Sequence, residues 1–265
     1  MTAETRAFWD AQLEMAVVVP GADEWIDKYG ELGRVHGRLD EARRIATGPD
    51  AMQSLWHTDT GALDKAMVLI HGGYWRRFSA AEYAFGLPTA AAANVTFFNV
   101  DYRLMPGVRM ADVVSDTLAA CEKALEMVPN AVLVGHSAGA HLALETAMRL
   151  SRPPRAVVAM SGLFELAPLR HAFIREDIAL SADEVAEFSP IERVADIPAP
   201  VHVQVGADET LEFQRQSVRL YDTLVDAGQE ATFWFAPGQN HFQIAAEMAD
   251  PQTPTASRIV DVLVG

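Results

Sequence analysis

The stretch AVLVGHSAGAHLALETAMRL (131–150) decides the fold of this 265-residue chain. It begins with the apolar run AVLVG, which predicts a buried β-strand, and continues after the central serine with the apolar spacing of a helix. GHSAG (135–139) joins the two and matches the G-x-S-x-G pattern of a sharp strand-to-helix turn. Such a turn holds Ser137 in strained backbone with its hydroxyl clear of the sheet, while Gly135 and Gly139 leave room for neighbouring backbone. The pattern therefore predicts Ser137 as a nucleophile at the end of a buried strand.

Short apolar runs alternate with longer helical patterns from residue 66 onward. The runs predicted to be strands are AMVLIH (66–71), VTFFNV (95–100), AVLVG (131–135), RAVVAMS (155–161), VHVQVG (201–206) and ATFWFA (231–236). The segments predicted to be helices are 81–93, 111–127, 138–150, 211–227 and 255–264. Nearly continuous apolar strands are typical of a sheet that is covered on both faces. The alternation therefore predicts an α/β fold with a mainly parallel sheet and helices on both faces.

Two segments interrupt this regular pattern. Residues 1–50 carry several glycines among charged residues, and short helices are predicted around 4–16 and 39–46. We expect this N-terminal excursion to pack over the edge or the mouth of the sheet. Residues 162–198 follow a strand and are too long for a simple loop, so they predict a small cap-like insertion with two short helices. The whole chain, 1–265, is predicted to be a single domain.

Composition and charge argue against several classes of function. Half of the residues are apolar and 22% are charged, as in an ordinary globular protein. The formal net charge of −15 argues against nucleic acid and against an anionic membrane surface as partners. The N-terminus lacks a signal-peptide pattern, and no apolar stretch reaches the about 18 residues of a membrane span. One cysteine, Cys121, allows no intramolecular disulfide, and we expect a cytoplasmic protein.

The loop HGGYW (71–75) follows the first predicted strand and contains the glycines that an oxyanion-binding loop requires. Glycine lets the backbone approach a substrate closely. In HGGG-type loops, backbone N–H groups bind the oxyanion together with the N–H of the residue after the nucleophile. The candidates for this oxyanion hole are Gly72, Gly73, Tyr74 and Ala138. Either Gly73 or Tyr74 is the expected loop donor, and His71 is expected to brace the loop.

The general base and the acid should follow the nucleophile in the order Ser, acid, His. Of the eight histidines, His241 is the one that follows the last predicted strand, in the loop PGQNHF, and it is the candidate base. The acid is expected in GADETLEF (206–213), which offers Asp208 and Glu209. A carboxylate there would accept a hydrogen bond from the His241 ring and fix its tautomer. The spacing leaves Asp208 and Glu209 as alternatives.

Taken together, these segments resemble those of the kynurenine formamidase (arylformamidase) branch of the α/β-hydrolase (esterase/lipase) superfamily. The motifs that carry the resemblance are HGGYW (71–75), DYRL with a following proline (101–106), GHSAGAHLA (135–143), SGLFEL-x-PL (161–169), EFQRQS (212–217) and NHF (240–242). Residues 1–65 contribute little to it. The resemblance implies an α/β-hydrolase fold and hydrolysis of N-formyl-L-kynurenine to L-kynurenine and formate. It also implies activity on simple aryl esters, and no metal or organic cofactor.

The resemblance also bears on the triad acid. When EFQRQS is aligned without gaps, the family's acid falls on Glu209, where the usual family residue is Asp. Glu is an accepted triad acid in this fold. The resemblance therefore favours Glu209, with Asp208 kept as the alternative acid.

A substrate of this kind makes two demands on the pocket. Its aryl group needs an apolar wall, and the candidates adjoining the motif loops are Trp75, Phe164 and Phe242. An amino-acid substrate also needs cationic partners for its carboxylate. The candidates in the insertion are Arg170, His171 and Arg175.

Two other functions stay open on the sequence. The first is a broad-range carboxylesterase acting on short-chain or aryl esters, because the same machinery serves both reactions and fold does not set the substrate. The second is a non-catalytic binding protein on the same scaffold, although such a protein would be expected to lack Ser137 or His241. The expected partner is a small-molecule substrate. A homodimer is compatible with the sequence, but no residue pattern shows one.

Overall fold

The computed structural model describes residues 3–62 and 64–265 and contains an eight-stranded sheet. The strands are β1 (Arg43–Ala46), β2 (Ser54–Thr58), β3 (Ala66–Ile70), β4 (Thr96–Asp101), β5 (Ala131–His136), β6 (Ala156–Met160), β7 (Val201–Gly206) and β8 (Ala231–Ala236). Their order across the sheet is β1-β2-β4-β3-β5-β6-β7-β8. The β1–β2 and β2–β4 pairs are antiparallel, and every pair from β4 to β8 is parallel. The prediction of a mainly parallel sheet is confirmed.

Helices connect most of the strands. The α-helices are α1 (Ala3–Leu13), α2 (Met15–Val18), α3 (Ala22–His36), α4 (Ala80–Tyr83), α5 (Leu87–Ala92), α6 (Met110–Met127), α7 (Ala138–Ala147), α8 (Arg175–Ile178), α9 (Ala182–Glu187), α10 (Leu211–Asp226), α11 (Gln243–Ala246) and α12 (Pro254–Val264). Short 3₁₀ turns lie at Ala84–Gly86, Ala167–His171, Pro190–Asp196 and Glu247–Ala249. Across the described ranges, no helix is long and apolar enough to span a membrane.

The core lies on both faces of the central strands. Every residue of β3, β4, β5 and β6 is buried, which requires cover on both sides of the sheet. Helix α7 packs on β5 and β6, α10 packs on β7 and β8, and α5 packs on β4 with α12 against it. The parallel strands bring the loops that follow them to one edge of the sheet. That carboxyl edge is where the candidate catalytic residues lie.

The first part of the chain differs from the prediction in two places. The short helix predicted around 39–46 is wrong, because residues 43–46 form the edge strand β1, in which Ile45 pairs with Leu55 of β2. Both strands were missed because they are short, lie at the antiparallel side of the sheet, and lack a long apolar run. The 15-residue helix α3 was also missed, since Gly30 and Gly33 lower the helix propensity of its sequence.

Helices α1 to α3 lie over the carboxyl edge of the sheet, as expected for part of the N-terminal excursion. The Tyr74 hydroxyl donates to the Leu13 carbonyl at 2.5 Å. On the other side of the mouth, the Thr210 hydroxyl donates to the Gln12 carbonyl at 2.7 Å. The Tyr29 hydroxyl of α3 donates to a carbonyl in the loop after β8. These bonds tie the excursion to three of the loops around the site.

The insertion at 162–198 contains short helical segments, as the sequence predicts. Its longer α-helix, α9, begins with a capping box in which the Ser181 hydroxyl accepts from the Glu184 N–H at 3.0 Å. The Glu184 carboxylate accepts in return from the Ser181 N–H at 2.9 Å. This reciprocal pair satisfies two N–H groups at the helix start.

The packing of α3 generates a paired stability prediction. A Cβ at Gly33 would lie 2.1 Å from the Ala81 carbonyl oxygen, whereas a Cβ at Gly30 would meet no heavy atom within 4 Å. Gly33→Ala should therefore lower the free energy of unfolding by about 1–3 kcal/mol through backbone displacement. Gly30→Ala should raise it by about 1 kcal/mol through helix propensity. Urea denaturation followed by circular dichroism measures both, and equal shifts of the two variants would contradict this packing.

Candidate active site

The turn between β5 and α7 holds Ser137 in an uncommon backbone conformation. Its φ is 58° and its ψ is −121°, in a region that non-glycine residues rarely adopt. A Cβ at Gly135 would lie 2.2 Å from the Gly139 carbonyl oxygen, and a Cβ at Gly139 would lie 2.0 Å from the Ile70 carbonyl oxygen. Both flanking residues of the motif must therefore be glycine. The close approach of helix and strand forces the chain to turn sharply at Ser137.

A chain of hydrogen bonds links three of the predicted residues. His241 Nε2 lies 3.0 Å from Ser137 Oγ, and His241 Nδ1 lies 2.7 Å from Glu209 Oε2. With the proton on Nδ1, the ring donates to the carboxylate and Nε2 accepts from the serine hydroxyl. All three side chains are buried, so bulk water competes little for these bonds. The arrangement allows the serine hydroxyl to lose its proton to the imidazole.

The structure also separates the two candidate acids. The second Glu209 oxygen, Oε1, accepts from the Gly206 N–H at 2.8 Å and from the Ser161 hydroxyl. Glu209 is thus buried with a donor for each oxygen, whereas the Asp208 side chain is exposed. Ser161 follows β6 directly and has a positive φ of 51°. The geometry places Glu209, and not Asp208, against His241.

A second set of hydrogen bonds fixes the loop that carries His241. His136 Nε2 donates to the His241 carbonyl at 2.9 Å, and the Tyr83 hydroxyl lies 2.8 Å from His136 Nδ1, to which it donates. Burial lowers the pKa of His136 well below its usual range, with His241 as a further cause. A neutral His136 has one ring N–H, which donates to the His241 carbonyl, and one bare ring nitrogen, which accepts from the Tyr83 hydroxyl. The Tyr29 hydroxyl donates to the Phe242 carbonyl at 2.8 Å, so consecutive carbonyls of the loop are held.

The loop after β3 approaches Ser137 from the other side. A Cβ at Gly72 would lie 3.1 Å from Ser137 Cβ, so this glycine is also required by close contact. Gly73 and Tyr74 both have positive φ, at 102° and 52°. Among the bonds that the described residues make, neither of these two N–H groups has a protein acceptor, and neither does the Ala138 N–H at the start of α7. These N–H groups are the ones predicted to bind an oxyanion.

His71 braces this loop, as expected from the sequence. Its Nδ1 lies 2.8 Å from the Gly72 carbonyl, to which it donates. Its ring stacks on Tyr102 with a centroid distance of 4.1 Å, and the Tyr102 hydroxyl donates to the His71 carbonyl at 2.9 Å. Burial lowers the pKa of His71, so the ring is neutral in the folded protein. His71 therefore holds the loop in place from behind.

A cavity of about 240 Å³ opens onto Ser137 and His241. Its apolar lining comes from the N-terminal excursion and from the loops: Met15, Ala16, Ile26, Phe78, Phe173 and Phe242. Glu14, Arg76 and Arg77 add charged groups to the wall. The volume lies just below the about 300–1,000 Å³ that is typical of sites for drug-sized ligands. The cavity therefore suits a compact substrate with both apolar and charged parts.

The predicted aromatic wall needs correction. Phe242 lines the cavity, but Trp75 and Phe164 do not. Both are fully buried, and the Trp75 ring N–H donates to His141 Nδ1 at 3.2 Å inside the core. The successive positive φ values of Tyr74 and Trp75 turn the chain so that Tyr74 lines the cavity and Trp75 faces inward. The aromatic residues that replace them in the wall are Phe78 and Phe173.

The predicted cationic partners need correction as well. Arg170 and His171 are exposed on the insertion, and Arg175 forms an ion pair with Glu176 at 2.8 Å. None of these three side chains lines the cavity. The cationic lining comes from Arg76 and Arg77, which directly follow the oxyanion loop.

Several residues of the site were not predicted from the sequence. Ser161 could have been found, because it begins the SGLFEL motif directly after a strand. Tyr29, Tyr83 and Glu14 had no such signal, since long-range packing alone brings them to the site. Within the described part of the chain, no group of three or more His, Cys, Asp or Glu side chains is arranged to hold a metal ion.

Comparison with known proteins agrees with this geometry. The model of a family described as having the alpha/beta hydrolase fold matches residues 67–244, and the chain belongs to that family. Kynurenine formamidase of Danio rerio is 25% identical over 198 residues, covering 69% of this chain and 68% of the relative. Kynurenine formamidase of Salmo salar is 27% identical over 210 residues, covering 72% and 70%. The chain is therefore a hydrolase that resembles kynurenine formamidases.

Solved structures show the same fold. A structure from Silicibacter sp., named as a thioesterase, has a TM-score of 0.85 at 24% identity, covering 97% of this chain and 99% of that one. An esterase/lipase from an uncultured bacterium has a TM-score of 0.71 at 18% identity, covering 99% and 97%. At these identities the likeness concerns the fold.

Because Glu209 and Asp208 are placed differently, replacing each by its amide should affect kcat differently. Glu209→Gln replaces the acceptor of the His241 Nδ1–H and should lower kcat for ester hydrolysis by about 10⁴-fold, as in other triads. Asp208→Asn changes an exposed side chain and should leave kcat close to wild type. Steady-state kinetics on a short aryl ester compares the two. A large loss in Asp208→Asn with none in Glu209→Gln would reverse the assignment.

The buried histidines predict a loss of stability in acid. Burial lowers the pKa of His71, His136 and His141, whereas in the unfolded chain they have the ordinary pKa of about 6.5. As the pH falls through about 6.5, the unfolded chain binds protons that the folded protein does not bind. Each of the three should then lower the free energy of unfolding by up to about 1.4 kcal/mol per pH unit. Urea midpoints measured between about pH 7.5 and pH 5.5 test this, and constant midpoints would contradict it.

Proposed function

We propose that this hydrolase cleaves an aryl formamide, N-formyl-L-kynurenine, to L-kynurenine and formate, with Ser137, His241 and Glu209 as its catalytic triad. The observation that carries the proposal is the hydrogen-bonded chain from Ser137 through His241 to Glu209, which opens onto a small cavity with aromatic and charged walls. The similarity to kynurenine formamidases supports the choice of substrate.

The reaction begins with attack on the formyl carbon. His241 removes the Ser137 proton as Oγ forms a bond to that carbon, and the carbonyl oxygen becomes an oxyanion. Ala138 and either Gly73 or Tyr74 donate backbone hydrogen bonds to it, each worth roughly 3 kcal/mol in the transition state. The N-terminus of α7 adds the positive end of a helix dipole at the same place.

The second half of the reaction releases the two products. His241 gives its proton to the aniline nitrogen as the C–N bond breaks, and L-kynurenine leaves. Water then loses a proton to His241 and attacks the formyl ester on Ser137. The C–O bond to the enzyme breaks, Ser137 regains its proton, and formate is released. Glu209 stabilises the imidazolium each time it forms.

The shape of the cavity suits this substrate. A formyl group is the smallest acyl group, so the acyl side of Ser137 needs little space. The aromatic ring of the substrate would lie against Phe78, Phe173 and Phe242, which line the cavity. Phe173 and Tyr74, which both line the cavity, make an edge-to-face contact at a centroid distance of 5.7 Å that stabilises this wall.

Turnover of N-formyl-L-kynurenine by the purified protein tests the proposal. We expect a kcat/KM of about 10⁴ M⁻¹s⁻¹ or more, the ordinary enzyme range. Ser137→Ala should lose this activity, because it removes the attacking oxygen while the small side chain is easily accommodated. A fluorophosphonate probe should label the wild-type protein at Ser137 and leave the variant unlabelled.

Two results would overturn parts of this proposal. Cleavage of short aryl esters through Ser137, without turnover of N-formyl-L-kynurenine, would make the protein a carboxylesterase. Failure of the probe to label Ser137 would indicate a non-catalytic binding protein on the hydrolase scaffold.

A further inference from the structure

The geometry points to a zwitterion site at the mouth of the cavity, in which Arg76 and Arg77 bind the carboxylate of an α-amino acid and Glu14 binds its ammonium group. This inference rests on the proposed function and assigns the residues that select the amino-acid part of the substrate. All three side chains line the cavity that contains Ser137.

The oxyanion loop itself places the two arginines. The Gly73 carbonyl accepts from the N–H groups of both Arg76 and Arg77 at 3.0 Å, which closes a tight turn. A Cβ at Gly73 would lie 2.4 Å from the Arg77 carbonyl oxygen, so the turn cannot be relaxed by another residue type. Both arginines therefore lie within four residues of the predicted oxyanion donor Gly73. Their side chains line the cavity that also contains Ser137.

Arg76 is held in the cavity wall with part of its hydrogen-bonding capacity unused. One terminal nitrogen pairs with Asp177 at 2.7 Å, and the guanidinium lies 6.0 Å from the Phe173 ring centroid. Its Nε is shielded from bulk water and has no acceptor among the described residues. Because Nε is shielded in this way, Arg76 would meet a carboxylate through the part of its side chain that lines the cavity.

Arg77 adds a second, more exposed cation. Within residues 3–62 and 64–265, no carboxylate lies within ion-pair distance of it. It also borders a surface depression that contains Asp23, Asp27 and Glu82. Of these, Glu82 already accepts from the Ser79 N–H at 2.9 Å. Arg77 is thus charged, close to the cavity and not committed to an ion pair, as expected of a group that meets a ligand.

Glu14 provides the opposite charge in the wall of the same cavity. It precedes helix α2 and its side chain makes no capping hydrogen bond to that helix. The Glu14 side chain lines the same cavity as Tyr74, Arg76 and Arg77. It would supply the acceptor for the ammonium group of an α-amino acid whose carboxylate meets the arginines.

The charge of the whole protein favours a zwitterion over a simple anion. The chain carries a formal net charge of −15, which repels net anions as they approach. A zwitterionic α-amino acid has no net charge and is not repelled in this way. It still presents a carboxylate to the arginines and an ammonium to Glu14. The proposed substrate, N-formyl-L-kynurenine, has this zwitterionic group.

Inhibition by L-kynurenine tests the site without depending on formamidase activity. We expect L-kynurenine to inhibit hydrolysis of p-nitrophenyl acetate competitively in the wild-type protein. The inhibition constant should rise at least about tenfold in Arg77→Gln and in Glu14→Gln, because each loses one charge-assisted hydrogen bond. Arg170→Gln, which removes an exposed arginine outside the cavity, is the matched control and should leave the inhibition constant unchanged.

A second comparison tests substrate selection directly. The ratio of kcat/KM for N-formyl-L-kynurenine to that for 2-formamidoacetophenone, which lacks the amino-acid group, should fall at least about tenfold in both variants. Most of this change should appear in KM.

The outcomes separate the two proposals. Failure of the wild-type protein to hydrolyse N-formyl-L-kynurenine would overturn the proposed function, while the inhibition experiment would still test the zwitterion site. Absence of inhibition in the wild type, or equal inhibition constants in Arg77→Gln, Glu14→Gln and Arg170→Gln, would overturn the zwitterion site.

Discussion

The close contact between helix α7 and strands β3 and β5 is the constraint on which the rest of the site depends. A methyl group at Gly139 would lie 2.0 Å from the Ile70 carbonyl oxygen. The helix can therefore start this close to the sheet only because residue 139 is glycine. That closeness forces Ser137 into positive φ and directs its hydroxyl to His241 at 3.0 Å. It also brings the first N–H groups of α7 beside Gly72 and the oxyanion loop. The surrounding strands are buried at every position, and their packing holds this strained turn in place.

Burial around Ser137 is accommodated differently at the acid and at the histidines: the Glu209 carboxylate has several hydrogen-bond donors, whereas His136 is neutral. Glu209 is 8% exposed, yet its carboxylate has donors from Gly206, Ser161 and His241, which offset the cost of removing a charge from water. His136 has a carbonyl and a hydroxyl as partners, and burial lowers its pKa so that it stays neutral. The site therefore places one carboxylate next to His241. In the proposed mechanism this carboxylate stabilises the imidazolium.

The sequence predicts those parts of the site that depend on local pattern. Strands β3 to β8, the Ser137 turn and the His241 loop follow from apolar runs, glycine spacing and order along the chain. The sequence could not decide between Asp208 and Glu209 as the acid in this way. The two residues are adjacent, and what distinguishes them is that Glu209 is buried. Trp75 and Tyr74 could not be assigned to core and cavity either, since both have positive φ and ordinary alternation does not apply. Local pattern also failed to predict α3, because its glycines lower helix propensity although they permit close packing.

The candidate catalytic residues and much of the cavity wall come from different parts of this chain. The strand ends supply Ser137, Glu209 and His241, whereas much of the cavity wall belongs to the N-terminal excursion, including Glu14 and Ile26. Helix α3 of the excursion packs an apolar face on the core through Ile26, Tyr29 and Leu32, and the bond from Tyr74 to the Leu13 carbonyl adds to this contact. If the proposed triad is correct, changes in the excursion would be expected to alter the substrate while leaving the triad intact. The motifs that resemble formamidases lie at residues 71–242, so the excursion is the part of the wall about which that resemblance says least.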